Sequence, residues 1–297
     1  MGQPRISVVV ATRERPEGLR ALLQTLLAND HPSFEVIVVD QSARPAELPP
    51  DERLRYLHRP EMVGKSRGLN EGIRASSGEL FAFTDDDCTV ERDWLRLGEA
   101  VLERHDDVAL LFGALVACPH DPTRVFVPEF RPDAFRIVRG LRNVHIRGGA
   151  GANMFARREL FEAAGLFDER IGPGERYRSC EEFDLYYRAL KAGFAVAHDP
   201  HNPVTHWGAR PYADGSGQWL LRYYYYGEGA VLAKHLRCGD AQAGIALARI
   251  AAEQLGTTLS NLIRQRRLTG AGRLAYWIRG LAAGSRARIR KDDRLFA

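Results

Sequence analysis

The chain is poor in cysteine and methionine, with four of the first and three of the second among 297 residues. Cys88, Cys118, Cys180 and Cys238 stand far apart without a CxxC pair, which excludes a disulfide framework and zinc-finger spacing and fits a reducing cytosol. No stretch approaches the roughly 18 apolar residues of a membrane span, and the apolar run after Arg5 is too short for the core of a signal sequence. A cytoplasmic protein, soluble or peripheral at the inner face of the membrane, is expected. There is no GxGxxG after a strand and no P-loop lysine motif, so any bound phosphates would rely on metal and side chains rather than on a helix N-terminus. Internal repeats and low-complexity segments are also missing. The net charge is only +4, yet Arg264, Arg266, Arg267, Arg273, Arg279, Arg286, Arg288, Arg290 and Lys291 form a run without one acidic residue. A basic tail of this kind suits anionic lipid or an acidic partner; nucleic acid is not expected.

What the chain does have is a carboxylate triplet, Asp85, Asp86 and Asp87, closing the apolar run Leu80 to Thr84. Adjacent like charges repel by roughly 1 kcal/mol at 4 Å in water and about 4 at a protein surface. A bound cation would offset that repulsion. The apolar run has the length of a buried strand, and ligands of open α/β sheets collect at the carboxyl ends of strands. Oxygen ligands there suit Mg²⁺ or Mn²⁺ carrying substrate phosphates, whereas the simpler alternative is a solvated acidic turn.

Strands alternate with amphipathic helices around the triplet. Ile6 to Ala11 is a strand, followed by Pro16 at a first helical turn and leucines 19, 22, 23, 26 and 27 at helical spacing. Strands at 34–39, 54–57, 109–115 and 195–198 and helices near 66–75 and 94–102 continue a βαβ rhythm. It predicts an α/β fold with a mainly parallel sheet, helices on both faces, and Asp40 and the triplet on one rim. Regularity dissolves between Val116 and Gly151, and after about Gly215 the chain reads as wholly helical. We therefore expect a catalytic domain over 1–215 and a helical region with a basic tail over 216–297.

The segments VVVATRERP, VIVVDQS, GKSRGLNEGI, FAFTDDDC, GGAGANMFARRELFEAAGLFDERIGPG and CEEFDLYYRALKAG, in that order, resemble a family 2 glycosyltransferase of the Rossmann-like nucleotide-diphospho-sugar transferase fold over residues 5–210. The resemblance implies inverting transfer of a sugar from a nucleotide-diphosphate donor to an acceptor hydroxyl, assisted by a divalent metal. It places Thr12, Arg13 and Glu14 at the nucleotide and Asp40 at the base, where an acceptor-only carboxylate suits a ring N–H. Asp85 and Asp87 match the outer positions of the DxD-like element, one at the ribose and one at the metal, with Asp86 open to either role. Gly149, Gly151 and Asn153 match the stretch beside the donor sugar, where glycine permits close approach. Asn70 also matches, but the arginine that often precedes it is replaced by Leu69, which leaves Lys65 or Arg67 to meet the diphosphate.

In the resemblance the base is the second acid of a pair opening a helix, here Glu182 in place of the commoner Asp, with Glu181 as the fallback. Plain helix capping would also put acids there. His206 matches a histidine that completes the metal shell, an arrangement that imidazole suits better for Mn²⁺ than for Mg²⁺. Asp168 is read as a structural turn or cap, and the glycine-containing loop 170–179 as a lid. Alternatives of other classes are a non-catalytic sugar-nucleotide or polyanion binding protein and a nucleotidyltransferase. Acceptor candidates are a glycan, a lipid-linked sugar or a small molecule. The apolar stripe Leu274, Trp277, Ile278 and Leu281 is expected either to pack on the catalytic domain or a second subunit, or to lie on anionic lipid.

Overall fold

The structure, a computed structural model, describes residues 5–143, 148–265 and 271–297. Arg266 and Arg267 of the basic run lie outside the described residues. In chain order the elements are β1 (Ile6–Thr12), α1 (Pro16–Leu27), β2 (Phe34–Asp40), β3 (Leu54–His58), α2 (Lys65–Ala75), β4 (Leu80–Phe83), β5 (Cys88–Val90), α3 (Trp94–Arg104), β6 (Val108–Ala117), β7 (Val125–Phe126), β8 (Arg136–Arg139), β9 (Met154–Arg157), α4 (Arg158–Ala164), α5 (Glu181–Lys191), β10 (Ala195–His206), β11 (Arg210–Pro211), α6 (Ser216–Arg237), α7 (Ala241–Gln265), α8 (Ala271–Arg286), β12 (Ile289–Arg290) and β13 (Leu295–Phe296).

Nine strands form the central sheet in the order β3-β2-β1-β4-β9-β6-β10-β5, with β8 also pairing with β10. The runs VVVA, VIVV and LFAF are buried on both faces, which is why they read as continuous apolar stretches rather than alternating ones. β1, β2, β3 and β4 are parallel, whereas β9 runs antiparallel between β4 and β6. The register pairs Thr12 with Asp40, and Val9 with Phe83, so the chain segments after β1, β2 and β4 emerge on one rim. One layer of the core lies under α1 and α3 through Leu19, Leu22, Leu23, Trp94 and Leu95; the other lies under α2, α4 and α5.

The helices after 215 share the second layer: Val231 and Leu232 of α6, and Trp277 of α8, belong to the same buried cluster as Phe83 and Tyr186. Helices α6 and α8 approach closely because glycine faces backbone. A Cβ on Gly280 would overlap the Tyr226 carbonyl, and one on Gly229 would overlap the Trp277 carbonyl. The glycines that interrupt the α8 sequence are thus its contact surface. Within the expected stripe Trp277 is 3% exposed but Ile278 is 52% exposed, so Ile278 leaves the packed face. Two short strands, β12 and β13, close the chain where helix alone was expected. Phe296 stacks on Tyr177 at 4.1 Å and sits 5.1 Å from the Lys234 ammonium. Among the described residues, no helix is long and apolar enough to cross a membrane.

Candidate active site

A cavity of about 830 Å³ opens at the carboxyl rim of β1 and β4 and is closed on its far side by the start of α5 and by α6. The rim supplies Thr12, Arg13 and all three aspartates of the triplet. Thr12 Oγ1 donates to Asp86 Oδ2 at 2.7 Å, which fixes the middle carboxylate against β1. Burial pushes the Asp86 carboxyl up, with the Arg15 guanidinium opposing. Asp87 is the reverse case: burial alone would raise it, but His206, Arg15 and Arg210 around it hold it well below the usual carboxylate range. Arg15 Nη1 bridges Asp86 and Asp87 at 2.9 and 2.8 Å, and Arg210 Nη2 reaches Asp87 at 3.5 Å. Neither arginine belongs to the expected set. Arg15 stands three residues beyond Thr12 in the same sequence segment, whereas Arg210 meets the triplet only through the return of β10 alongside β5.

His206 Nε2 lies 3.2 Å from Asp87 Oδ1, and its buried Nδ1 has no hydrogen-bond partner among the described residues. Ligand atoms of Asp87, Cys88 and His206 lie within 4.8 Å of one another. The Cys88 thiol is pushed up by burial and by the neighbouring aspartates, which keeps it protonated and a poor ligand. The Gly208 backbone packs closely on the pair, since a Cβ there would overlap Asp87 Oδ2 and approach His206 Cε1 to 2.7 Å, while both side chains line the cavity. One carboxylate and one imidazole beside open space form a donor set that fits a divalent cation such as Mn²⁺.

The far wall carries the acid pair. Lys65 Nζ lies 2.5 Å from Asp85 Oδ1 and 3.5 Å from Glu181 Oε1. Burial opposes the charge of Lys65, but Asp85 and Glu181 outweigh it and keep the ammonium protonated. Glu182 is enclosed by protein with one edge facing the cavity, and a Cβ on Gly151 would sit 3.9 Å from its Oε2. Burial first, and the adjacent Glu181 second, push the Glu182 carboxyl up to about 8. Gly172, with φ of 113°, lets the 170–179 loop pass close to Glu181, since its Cβ would lie 3.2 Å from Glu181 Oε2.

Thr12, Arg13, Lys65, Asp85, Asp86, Asp87, Gly149, Gly151, Glu181, Glu182 and His206 are thus gathered around one cavity. Five other expected donor residues brace its walls from outside the lining. Asp40 is fully buried and accepts from Tyr56 Oη at 2.6 Å and from the Ser42 and Ala46 amides, which hold its carboxyl low against burial. Glu14 accepts from the Ala43 amide. Arg67 is paired with Glu175 at 2.9 Å, and Asn70 accepts from the Phe167 amide. Asn153 donates to the Ala114 and Asn202 carbonyls and accepts from Trp94 Nε1. Asp168 has a structural contact, pairing with the buried Lys234 at 2.8 Å and accepting from the Phe296 amide.

The model of glycosyl transferase family 2 matches residues 7–165 of this chain. The chain is 27% identical to the pre-mycofactocin glycosyltransferase of Mycobacterium tuberculosis over 95% of its own length and spans 57% of that relative. It is also 27% identical to the glucosyl-dolichyl phosphate glucuronosyltransferase of Haloferax volcanii, covering 68% of this chain and 69% of that one. Among solved structures, the mannosyltransferase PcManGT from Pyrobaculum calidifontis, in complex with GDP-Man and Mn²⁺, superposes with a TM-score of 0.60 at 20% identity, over 96% of this chain and 88% of that one. TarS of S. aureus in complex with UDP-GlcNAc superposes with a TM-score of 0.54 at 16% identity, over 94% and 80%. The family match spans more than half of the sequence and coincides with the sheet whose rim carries the triplet, and on that ground the chain belongs to glycosyl transferase family 2.

Proposed function

We propose that this chain transfers a glycosyl group from a nucleoside-diphosphate sugar to an acceptor hydroxyl, with inversion and with the help of a divalent cation. The observation that carries the reading is Glu182: a carboxyl held near 8, inside the same cavity as the aspartate triplet and facing the glycine stretch at Gly151. A general base acts best when its pKa lies near the working pH, and an ordinary glutamate is too weak. The nucleotide sugars and Mn²⁺ in the superposed neighbours support a donor of that class.

Asp87 and His206 would hold the cation, while Asp85, expected as a further ligand, is held by Lys65 instead; when bound the cation would neutralise charge on the departing diphosphate. Lys65, anchored between Asp85 and Glu181, supplies positive charge midway between rim and base. His206 first, then Arg15 and Arg210, keep Asp87 ionised against its burial, as a ligand requires. Glu182 takes the proton from the acceptor hydroxyl as that oxygen attacks the anomeric carbon, and the carbon–oxygen bond to the diphosphate breaks on the opposite face. Pro173 and Gly174 of the 170–179 loop border the cavity, and we assign this loop to covering bound donor. Residues 1–215 are the catalytic unit in this reading, and 216–297 close its acceptor end.

Release of nucleoside diphosphate from a panel of UDP- and GDP-sugars with Mn²⁺ tests the proposal. Turnover should require the metal and vanish in Asp87→Ala. Near-full activity of that variant would refute the assignment, and binding without release in the wild type would make the chain a sugar-nucleotide binding protein.

A further inference from the structure

The cavity has two chemically different ends. Toward the rim it is polar and charged, as a nucleoside diphosphate requires. Along α6 it is walled by Leu220, Leu221, Tyr224 and Tyr225, and Phe126 and Phe130 also line it, most of them half-buried. A nucleotide sugar is polar over most of its length, so this apolar wall is surplus to donor binding. Its position beside the base marks it for the molecule that brings the hydroxyl.

Four of the six residues belong to α6, outside the residues matched by the family model. The helix is nonetheless rigidly tied to the base. Gly227 packs so tightly on Ser179 that a Cβ would overlap the Ser179 carbonyl, and Ser179 Oγ donates to the Tyr223 carbonyl at 2.7 Å. Ser179 and Cys180 lead directly into Glu181 and Glu182. Burial, then Glu182 and Glu181, raise the Tyr224 phenol, so its hydroxyl stays protonated within electrostatic reach of the base.

Charge narrows the ligand further. Glu181, Glu182 and Glu228 line the cavity beside α5 and α6. Of the cations lining the cavity there, Lys65 is held by Asp85 and Glu181, and the exposed Arg178 lies over the Tyr223 ring at 5.1 Å. A phosphate or carboxylate on the acceptor would meet carboxylates there.

We propose that the α6 wall is an acceptor subsite for a neutral, hydroxyl-bearing molecule that carries an aromatic or extended apolar group, of which an aryl glycoside is the simplest example. The inference rests on reading Glu182 as the base of the same cavity. Apolar contact supplies affinity, because burying such a group removes its surface from water, and the phenol of Tyr224 orients the attacking hydroxyl toward Glu182.

Binding of p-nitrophenyl β-glucoside, methyl β-glucoside and phenyl phosphate to the full chain tests this, measured by titration calorimetry alone and with UDP or GDP plus Mn²⁺. The aryl glycoside should bind at least about tenfold more tightly than either of the others, as burial of one aromatic ring allows. Leu221→Asn and Tyr224→Ala should each reduce that preference at least about threefold. Nucleoside diphosphate affinity and melting temperature serve as the fold control, and if one variant fails it the other decides. Equal affinity for the aryl and methyl glycosides overturns the subsite, and tighter binding of phenyl phosphate overturns its neutrality. Intact nucleotide binding without an aryl preference refutes this inference alone. An aryl preference without nucleotide binding refutes the donor reading and leaves the subsite standing.

Discussion

Replacing Glu182 by Gln should cost activity and gain stability, and the gain should depend on pH. In the folded chain this carboxyl is held near 8, against its ordinary 4.5. Below pH 4.5 both folded and unfolded forms carry the proton, so the substitution changes stability little. Between 4.5 and 8 the unfolded chain loses the proton first, and the wild type is progressively destabilised as pH rises; above 8 the cost is complete. At about 1.4 kcal/mol per unit the ceiling is roughly 5 kcal/mol, and water at the exposed edge reduces it to about 2–3. For a chain of this size, that is a rise in melting temperature of roughly 3–5 °C at pH 9. Thermal melts of the wild type and Glu182→Gln at pH 5 and pH 9 provide the check, together with turnover across the same range. Wild-type turnover should climb toward pH 8 and level off, and the variant should be slower by about 10²-fold or more. An equal change in melting temperature at both pH values would refute the burial argument, and full activity in the variant would remove Glu182 from the chemistry.

Lys234, fully buried between Asp168 and Asp184 at 2.8 and 2.6 Å, should be indispensable to the fold. Lys234→Met leaves two carboxylates facing each other and should lower stability by about 3–5 kcal/mol in urea denaturation. Gly280→Leu should separate α8 from α6 and lower the melting temperature, because any Cβ there overlaps the Tyr226 carbonyl, at a cost of about 1–3 kcal/mol or more. Gly256→Ala on α7, where a Cβ meets nothing among the described residues within 4 Å, should instead raise stability by about 0.5–1 kcal/mol.

Much of this site could be seen in the sequence because its strands are apolar on both faces and each ends in a polar residue. β1, β2 and β4 announced themselves as unbroken apolar runs, and their parallel register puts Thr12 and the Asp85–Asp87 triplet on one rim. Strands defined by their partners rather than by their own composition stayed hidden. β8, with the sequence Arg-Ile-Val-Arg, exists because the start of β10 offers it an edge, and β9 is antiparallel only because of where the chain returns. The same distinction applies to side chains. Asp40 ends β2 on the rim, and Tyr56, sixteen residues away, donates to its carboxylate. Arg210 touches Asp87 across more than a hundred residues, which no local pattern signals. Gly280 and Gly284 of α8 form a packing surface, a meaning that depends wholly on α6 lying opposite.

The central claim is a single displacement in which Glu182 activates the acceptor while the nucleoside diphosphate departs from the opposite face. It is tested most directly by the anomeric configuration of the first product formed from an α-linked nucleotide sugar with Mn²⁺, read by proton NMR before mutarotation or hydrolysis can scramble it. A β-linked product is expected throughout the reaction. An α-linked product would contradict it, because retention demands a second displacement or a same-face path in which Glu182 has no place as the base.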